Sequence, residues 1–550
     1  MTCIKDSPAE TSCGRVTAGN VFAKKKKYIC IIAFFLAYLV IGVSLYKDYG
    51  VSWDEPTHRQ IAMVSAKYLA GVFMPGFRNA ELAALPDLAD YSARQYGVVF
   101  DLPMYVAEKL LGYEGNMPEA YYLRHLCNFL LFYISVIFFF LIVKNRFKSR
   151  IAGLAACLFL ILSPRIFADS FYGKDVVFLS LLIIAIYFLI NFLQKKTIGS
   201  AVLFALTTAL TIDQRITGAF IPFIALLMSA LDILKSDKPF HKLPEKLFPV
   251  FIYIVFCLVF IFIFWPYLWS DPLGNLINSF TVMNRFPITY DVLYLGSFIK
   301  STEVPWHYIP VWIMITTPLI YILFFLIGFV GIVQAIIRNG PGLYSNDEEK
   351  QDVLFLLLFF APLVAVIVFN SALYDGWRHM YFLYAPFLLV AMTGLNKLIE
   401  IMKRGISLRD KVAAVFLIAV IAGSVLSTAY QMMKHHPWQN VYFNMLAGKN
   451  AGEKFELDYW GLSFRKGLEY IAANDKRPLI KLSANVSAPL INNAIFLDRR
   501  DIKRLRLTGV DQADYFLTNY RWHPQEYFLH QEVFTVRVDN QKILSVFKLR

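Results

Sequence analysis

KKKKYICIIAFFLAYLVIGVSLY, residues 24–46, decides the class of fold: four lysines, then nineteen residues without a formal charge. About 20 apolar residues cross the roughly 30 Å of a bilayer core, and inside it a single segment satisfies its own backbone only as a helix. Laid along the chain, the same ruler gives further spans near 122–143, 151–168, 175–193, 198–212, 216–234, 248–268, 309–337, 353–370, 379–399 and 411–431. The segment at 198–212 is short for a crossing. Composition agrees: the 550 residues are 57% hydrophobic, 16% aromatic and only 17% charged, with a mean hydropathy of +0.50. The chain is expected to be a polytopic α-helical membrane protein with about eleven transmembrane helices.

The cations set the orientation. Lys24 to Lys27 precede the first span, Lys144, Arg146, Lys148 and Arg150 follow the second, Lys235, Lys238, Lys242 and Lys246 the sixth, and Lys403, Arg404 and Arg409 the tenth. All four clusters share one side if the N-terminus is cytoplasmic, as positive loops prefer, and the C-terminus is then extracytoplasmic. The net charge of +14 thus reflects membrane topology, and no nucleic-acid partner is expected. No small-residue cleavage site follows the first apolar run, so that run is expected to stay as an anchor. The six cysteines, Cys3, Cys13, Cys30, Cys127, Cys157 and Cys257, fall in the cytoplasmic tail or in spans and offer the outer segments no disulfide framework.

Beyond a tail at 1–27 and a bundle at 28–431, two outer loops and a C-terminal segment are long enough to matter. The first loop, 47–121, carries Asp54-Glu55-Pro56 and an amphipathic helix from Arg59 to Leu69; such lengths are uncommon unless functional. The second, 269–308, is framed by Trp265-Pro266-Tyr267-Leu268-Trp269 and Pro305-Trp306-His307-Tyr308. From 432 to 550 the pattern turns soluble, with a helix expected over Phe464–Ala473 and strands near Leu479–Leu482 and Val533–Val538, a small α/β domain.

Charges gather where spans meet the outer face: Arg165, Asp169, Lys174 and Asp175 in one turn, Asp213 and Arg215 in another, Asp375, Arg378 and His379 in a third. Ions at the membrane boundary are costly and usually face a cavity, where they pair or bind something. Acids on one side and cations on the other suit transfer from a lipid-linked sugar phosphate. Lys or Arg holds the phosphate as its charge grows, and a carboxylate takes the proton of the incoming hydroxyl. No Gly-rich phosphate loop stands in a suitable context, so a nucleotide cofactor is not expected.

These residues resemble a known family. Asp54-Glu55, the stretch Ser163-Pro164-Arg165 to Lys174-Asp175, Trp265 to Trp269, Thr316-Thr317-Pro318, Asp375 to His379 and the segment Tyr442 to Gly461 look like the polytopic glycosyltransferases of the GT-C fold, the dolichyl-phosphate-mannose-protein mannosyltransferase-like group and its bacterial members. The resemblance runs to about residue 470 and implies a polyprenyl-phosphate sugar donor, a glycan, lipid or protein acceptor, membrane-lipid neighbours, and inversion at the anomeric centre. It also implies Asp54 as catalytic base with Glu55 beside it. For Lys174, Arg215, Arg378 and His379 it implies a place on the phosphate side, and Arg165, Asp169, Asp175 and His58 complete the candidate substrate-binding set. A divalent cation is left open, since the first loop has no tight Asp-x-Asp. A bacterial inner membrane is the expected location.

Each of these has a structural alternative. Asp54 and Glu55 could cap the helix that Pro56 begins, and Arg378 could hold Asp375 in a turn. Asp169 and Asp175 could pair with Arg165 and Lys174, and His58 and His379 could be packing residues. Asn485-Val486-Ser487 fits a glycosylation acceptor only in a secretory compartment. A lipid or solute transporter is the rival from another class, although its usual internal repeats are not visible here.

Overall fold

The computed structural model describes residues 18–76, 79–236, 238, 240–284, 289–404, 408–528 and 531–550, with side chains from Tyr28 onward. Cys3, Cys13 and the side chains of Lys24–Lys27, Arg404 and Arg409 lie outside the described residues. The helix Ala18–Leu45, with the first candidate span, belongs to a unit of its own; a second unit runs from Tyr46 to Arg550.

Nine described helices are long and apolar enough to cross a membrane. Three of the expected spans take another form. Residues 151–168 contribute to two helices, Arg150–Ile161 and Pro164–Tyr172, bent by 71°. Pro164 brings no N–H to the preceding turn but suits the first turn of a new helix, so the chain bends at Ser163-Pro164. Residues 309–337 are divided in the same way. Tyr308–Thr316 stops at Thr317, whose ψ of 140° is the extended backbone a residue before proline adopts, and Leu319–Asn339 starts beyond Pro318. The expected span at 198–212 is the helix Ile198–Gln214, whose 17 residues reach only about 26 Å at the rise of an α-helix.

The loop at 47–121 is built from the helices Glu55–Phe73, Ala80–Ala83 and Asp101–Leu110. Ile61 and Val64, three apart on one helical face, pack against Leu88, Tyr91 and Val98. Buried ion pairs fasten it: Arg124 Nη1 donates to Asp101 Oδ1 at 3.0 Å, and Arg59 pairs with Glu108. Asp213, at the end of Ile198–Gln214, accepts from Val99 N at 2.7 Å. Gly97 makes this approach possible, since a Cβ there would lie 1.9 Å from Asp213 O.

The loop at 269–308 carries a hairpin, β1 (Asp291–Tyr294) and β2 (Ser297–Lys300), closed by Leu295 and Gly296 at positive φ, as a two-residue turn between twisted strands requires. The C-terminal region forms a five-stranded sheet from β3 (Ile480–Ala484), β4 (Leu505–Leu507), β5 (Tyr515–Thr518), β6 (Gln531–Val538) and β7 (Gln541–Lys548), in the order β4-β3-β5-β7-β6. The three strands β4, β3 and β5 run parallel, and β7 pairs antiparallel with β5 and β6. The helix Phe464–Asn474 sets Phe464, Leu468 and Ile471 on one face over Ile480, Leu517, Leu544 and Val546. This sheet lies in the same compact unit as the helices after Tyr46.

Candidate active site

Asp54 occupies the N-cap position of Glu55–Phe73, yet its side chain makes no capping hydrogen bond. Its Oδ2 instead accepts from Arg378 Nη1 at 3.1 Å, across 324 residues of sequence. Glu55 takes the local role: Oε2 accepts from Ser52 N at 2.6 Å, and Oε1 lies 2.9 Å from His125 Nε2. Successive residues of a helix point about 100° apart, which separates the acid pair. Glu55 is buried with both oxygens engaged, and of the acid pair only Asp54 bonds Arg378.

Arg378 is the hub. Beyond Asp54, Nη1 reaches Asp175 Oδ2 at 3.2 Å and Nη2 reaches Asp375 Oδ2 at 3.1 Å. Asp175 also pairs with Arg215, and Asp375 Oδ1 accepts from Arg521 Nη2 at 2.6 Å. A ladder therefore runs Arg215, Asp175, Arg378, Asp375, Arg521, with Asp54 branching from its centre. The rings of Trp460 and Tyr374 lie 4.6 and 5.1 Å from the Arg378 guanidinium. Asp375 and Gly376 both have positive φ, a tight turn that aspartate tolerates and glycine favours, and it delivers Asp375 to Arg378.

Burial raises the Asp54 carboxyl above its ordinary 3.8; Arg378 draws it down, while Asp375 and Asp175 push it up. Although crowded by protein, 35% of the Asp54 side chain is exposed, whereas Asp175 keeps only 3%. Of the three acids bonded to Arg378, Asp54 is the most accessible.

Lys174 does not bond to Asp54. Its Nζ lies 3.4 Å from His58 Nδ1 and 4.4 Å from the Tyr96 ring centroid. Burial, then Lys174, lowers the His58 pKa well below 6.5, which leaves a neutral ring able to accept from the ammonium. Arg165 and Asp169 stand apart from the ladder. Arg165 Nε donates to Tyr442 O at 3.0 Å with its guanidinium against Phe443 and Trp312, and Asp169 Oδ2 accepts from Trp460 Nε1 at 3.4 Å. Both are buried.

A groove of about 350 Å³ opens beside the ladder. Its walls are apolar, among them Phe220, Phe223, Phe280, Val366 and Phe369, and Arg215, His379, Tyr96 and Tyr374 stand at its polar end. The Arg215 side chain is 24% exposed; its Nη1 bonds Asp175 and, at 3.4 Å, His379 O. His379 packs its ring edge-on to Tyr374 at 4.5 Å.

Residues 124–269 match the family model described as dolichyl-phosphate-mannose-protein mannosyltransferase. Over that stretch the chain is mannosyltransferase-like. The match includes Lys174, Asp175 and Arg215 and leaves Asp54, Arg378 and Arg521 outside it. No curated protein matches the chain. Among solved structures it is similar to ArnT from Cupriavidus metallidurans: to the apo state at 13% identity over 95% of this chain and 98% of that one, TM-score 0.49. The form bound to undecaprenyl phosphate is 14% identical over 94% and 97%, TM-score 0.46. The apo oligosaccharyltransferase of Archaeoglobus fulgidus is 11% identical over 88% of this chain and 65% of that one, TM-score 0.45.

Among the described residues, the side chains at this site do not fit a metal ion. Asp54, Asp175 and Asp375 converge on a guanidinium, and among the described residues no three His, Cys, Asp or Glu side chains are arranged as ligands. Arg521, Trp460, Tyr96 and Tyr374 were not in the candidate set. The one signal in the sequence was the run Tyr520-Arg521-Trp522, a cation between aromatics in an otherwise soluble segment.

Proposed function

We propose that the chain is a membrane glycosyltransferase that moves a sugar from a polyprenyl-phosphate donor to an acceptor hydroxyl at the extracytoplasmic face. The observation that carries this reading is the partly exposed Asp54 carboxylate, bonded to Arg378 in a charge ladder whose outer cation, Arg215, heads an apolar groove. An amphiphile with an anionic head fits that division: isoprenoid carbons along Phe220, Phe223 and Phe369, phosphate toward Arg215.

In the proposed step Asp54 takes the proton of the acceptor hydroxyl, and the oxygen attacks the anomeric carbon on the face opposite the phosphate. The bond from that carbon to the phosphate oxygen breaks, its electron pair stays on the phosphate, and the glycoside forms with inversion. The phosphodiester monoanion becomes a phosphate monoester dianion as it leaves. Arg215 therefore binds the leaving group more strongly than the donor, which is the condition for lowering a barrier.

The direct test is transfer of a radiolabelled sugar from a polyprenyl-phosphate donor by the purified chain in lipid nanodiscs, compared with Asp54→Asn. A transporter reading draws on the two helices broken at Pro164 and Pro318. Movement of the intact labelled lipid across proteoliposomes without a new glycosidic bond would favour it.

A further inference from the structure

The geometry points to Arg521, supplied by the C-terminal sheet domain, as a positioning residue that holds Asp54 ready through the ladder and through Trp53. Its Nη2 donates to Asp375 Oδ1 at 2.6 Å, while the other oxygen of the same carboxylate takes Arg378 Nη2 at 3.1 Å. Arg378 in turn bonds Asp54. On a second side the Arg521 guanidinium lies 5.2 Å from the ring of Trp53, the residue just before Asp54, and 4.7 Å from the ring of Trp522. One side chain thus reaches Asp54 from both directions.

Arg521 is itself locked in place. Its Nη1 donates to Tyr459 O at 2.6 Å, and its carbonyl accepts from Asn485 Nδ2 at 3.1 Å. Its neighbours Tyr520 and Trp522 hold φ of +63° and +60°, a left-handed backbone that bulky residues rarely adopt. Strain of this kind persists where surrounding structure over-determines it, and here it aims the guanidinium between Asp375 and Trp53. The side chain is 6% exposed.

The consequence is electrostatic. Asp375 divides its charge between two guanidinium groups. Without Arg521, Asp375 draws Arg378 toward itself, and the Asp54 carboxylate loses part of the cation that favours its ionised form. The charged and titratable groups facing Asp54 are Arg378, Asp375, Asp175 and Lys174, with Tyr96, Tyr290 and Tyr374 around them and His58 one turn along its own helix. The buried Glu456 faces Asp375, Arg521 and Arg378. Arg521 acts on Asp54 through Asp375 and Trp53 and is not among the residues that line the groove.

This inference deepens the proposed function by giving the C-terminal domain a part in readying the base, and its test needs no substrate, so it stands or falls apart from the transferase reading. The full-length protein in nanodiscs is labelled with a carbodiimide and an amine across a pH series, and modification of Asp54 is read by mass spectrometry. In Arg521→Met the midpoint for Asp54 rises by about 0.5 pH unit, less than the roughly 1–3 units of a cation in direct contact, because Arg521 acts through Asp375. Arg521→Lys, which restores the charge, recovers at least half of that rise. Arg504→Met is the control, because Arg504 bonds Ala472 O at 2.7 Å and Asp501 within the same domain and leaves the ladder untouched. An unmoved midpoint in Arg521→Met, or an equal rise in Arg504→Met, overturns the assignment.

Discussion

Replacing Arg215 with Ala removes the cation at the polar end of the groove and spares the fold, because Asp175 keeps Arg378 as its partner at 3.2 Å. A hydrogen bond to a charged group contributes about 1.5–3 kcal/mol, and each 1.4 kcal/mol is tenfold, so kcat/KM for the donor should fall roughly 10- to 150-fold. The side chain is 24% exposed and already shared with Asp175, which favours the lower half of that range. Because charge accumulates on the phosphate as the bond breaks, kcat should fall along with any rise in donor KM, and the acceptor KM should stay unchanged. Arg215→Lys should recover only part of the loss, since an ammonium cannot hold Asp175 and a phosphate with one planar fork. Initial rates in nanodiscs at varied donor give both constants. A kcat/KM within twofold of wild type in Arg215→Ala would refute the phosphate assignment.

The pH profile carries a second expectation: a base raised above 3.8 by burial is ionised only above its own shifted value, so kcat/KM should climb with an acid limb displaced above that of an ordinary aspartate. The same shift has a stability sign. The folded form holds the proton more tightly, so stability from Asp54 falls as pH rises from 3.8 through the folded value, and Asp54→Asn should flatten that fall in a thermal-melt series. Gly97→Ala should destabilise by about 1–3 kcal/mol by pushing the loop at 47–121 off Asp213, read as a lower melting temperature. Arg124→Met should cost about 3–5 kcal/mol by leaving Asp101 buried without its partner, and an unchanged melting temperature would contradict that pairing.

The spans were legible because crossing hydrocarbon demands a length and a composition that the sequence displays openly. The breaks at Pro164 and Pro318 were less so: hydropathy sums side chains and is blind to a missing backbone donor, although both prolines stood inside motifs already singled out. In the C-terminal segment, helix Phe464–Asn474 and strands β3 and β6 followed from local periodicity. Their pairing, with β4 and β5 flanking β3, depends on contacts across loops that no local pattern reports. At the site, the sequence drew attention to charges on one face but could not say which pairs form. Asp54 and Glu55 look alike as neighbours, and only the helix start separates them into a carboxylate on Arg378 and one on His125. Arg521 escaped notice because it sits 146 residues from Asp375 in a segment whose composition resembles any soluble domain.

The most direct measurement is sugar transfer by Asp54→Asn, a change of one heavy atom that keeps the shape of the residue and an oxygen to accept from Arg378 while removing the charge. General-base catalysis contributes about 10²- to 10⁴-fold, so kcat should drop by that factor while donor affinity stays near wild type and the melting temperature does not fall. Transfer at the wild-type rate by a folded Asp54→Asn protein would contradict the account.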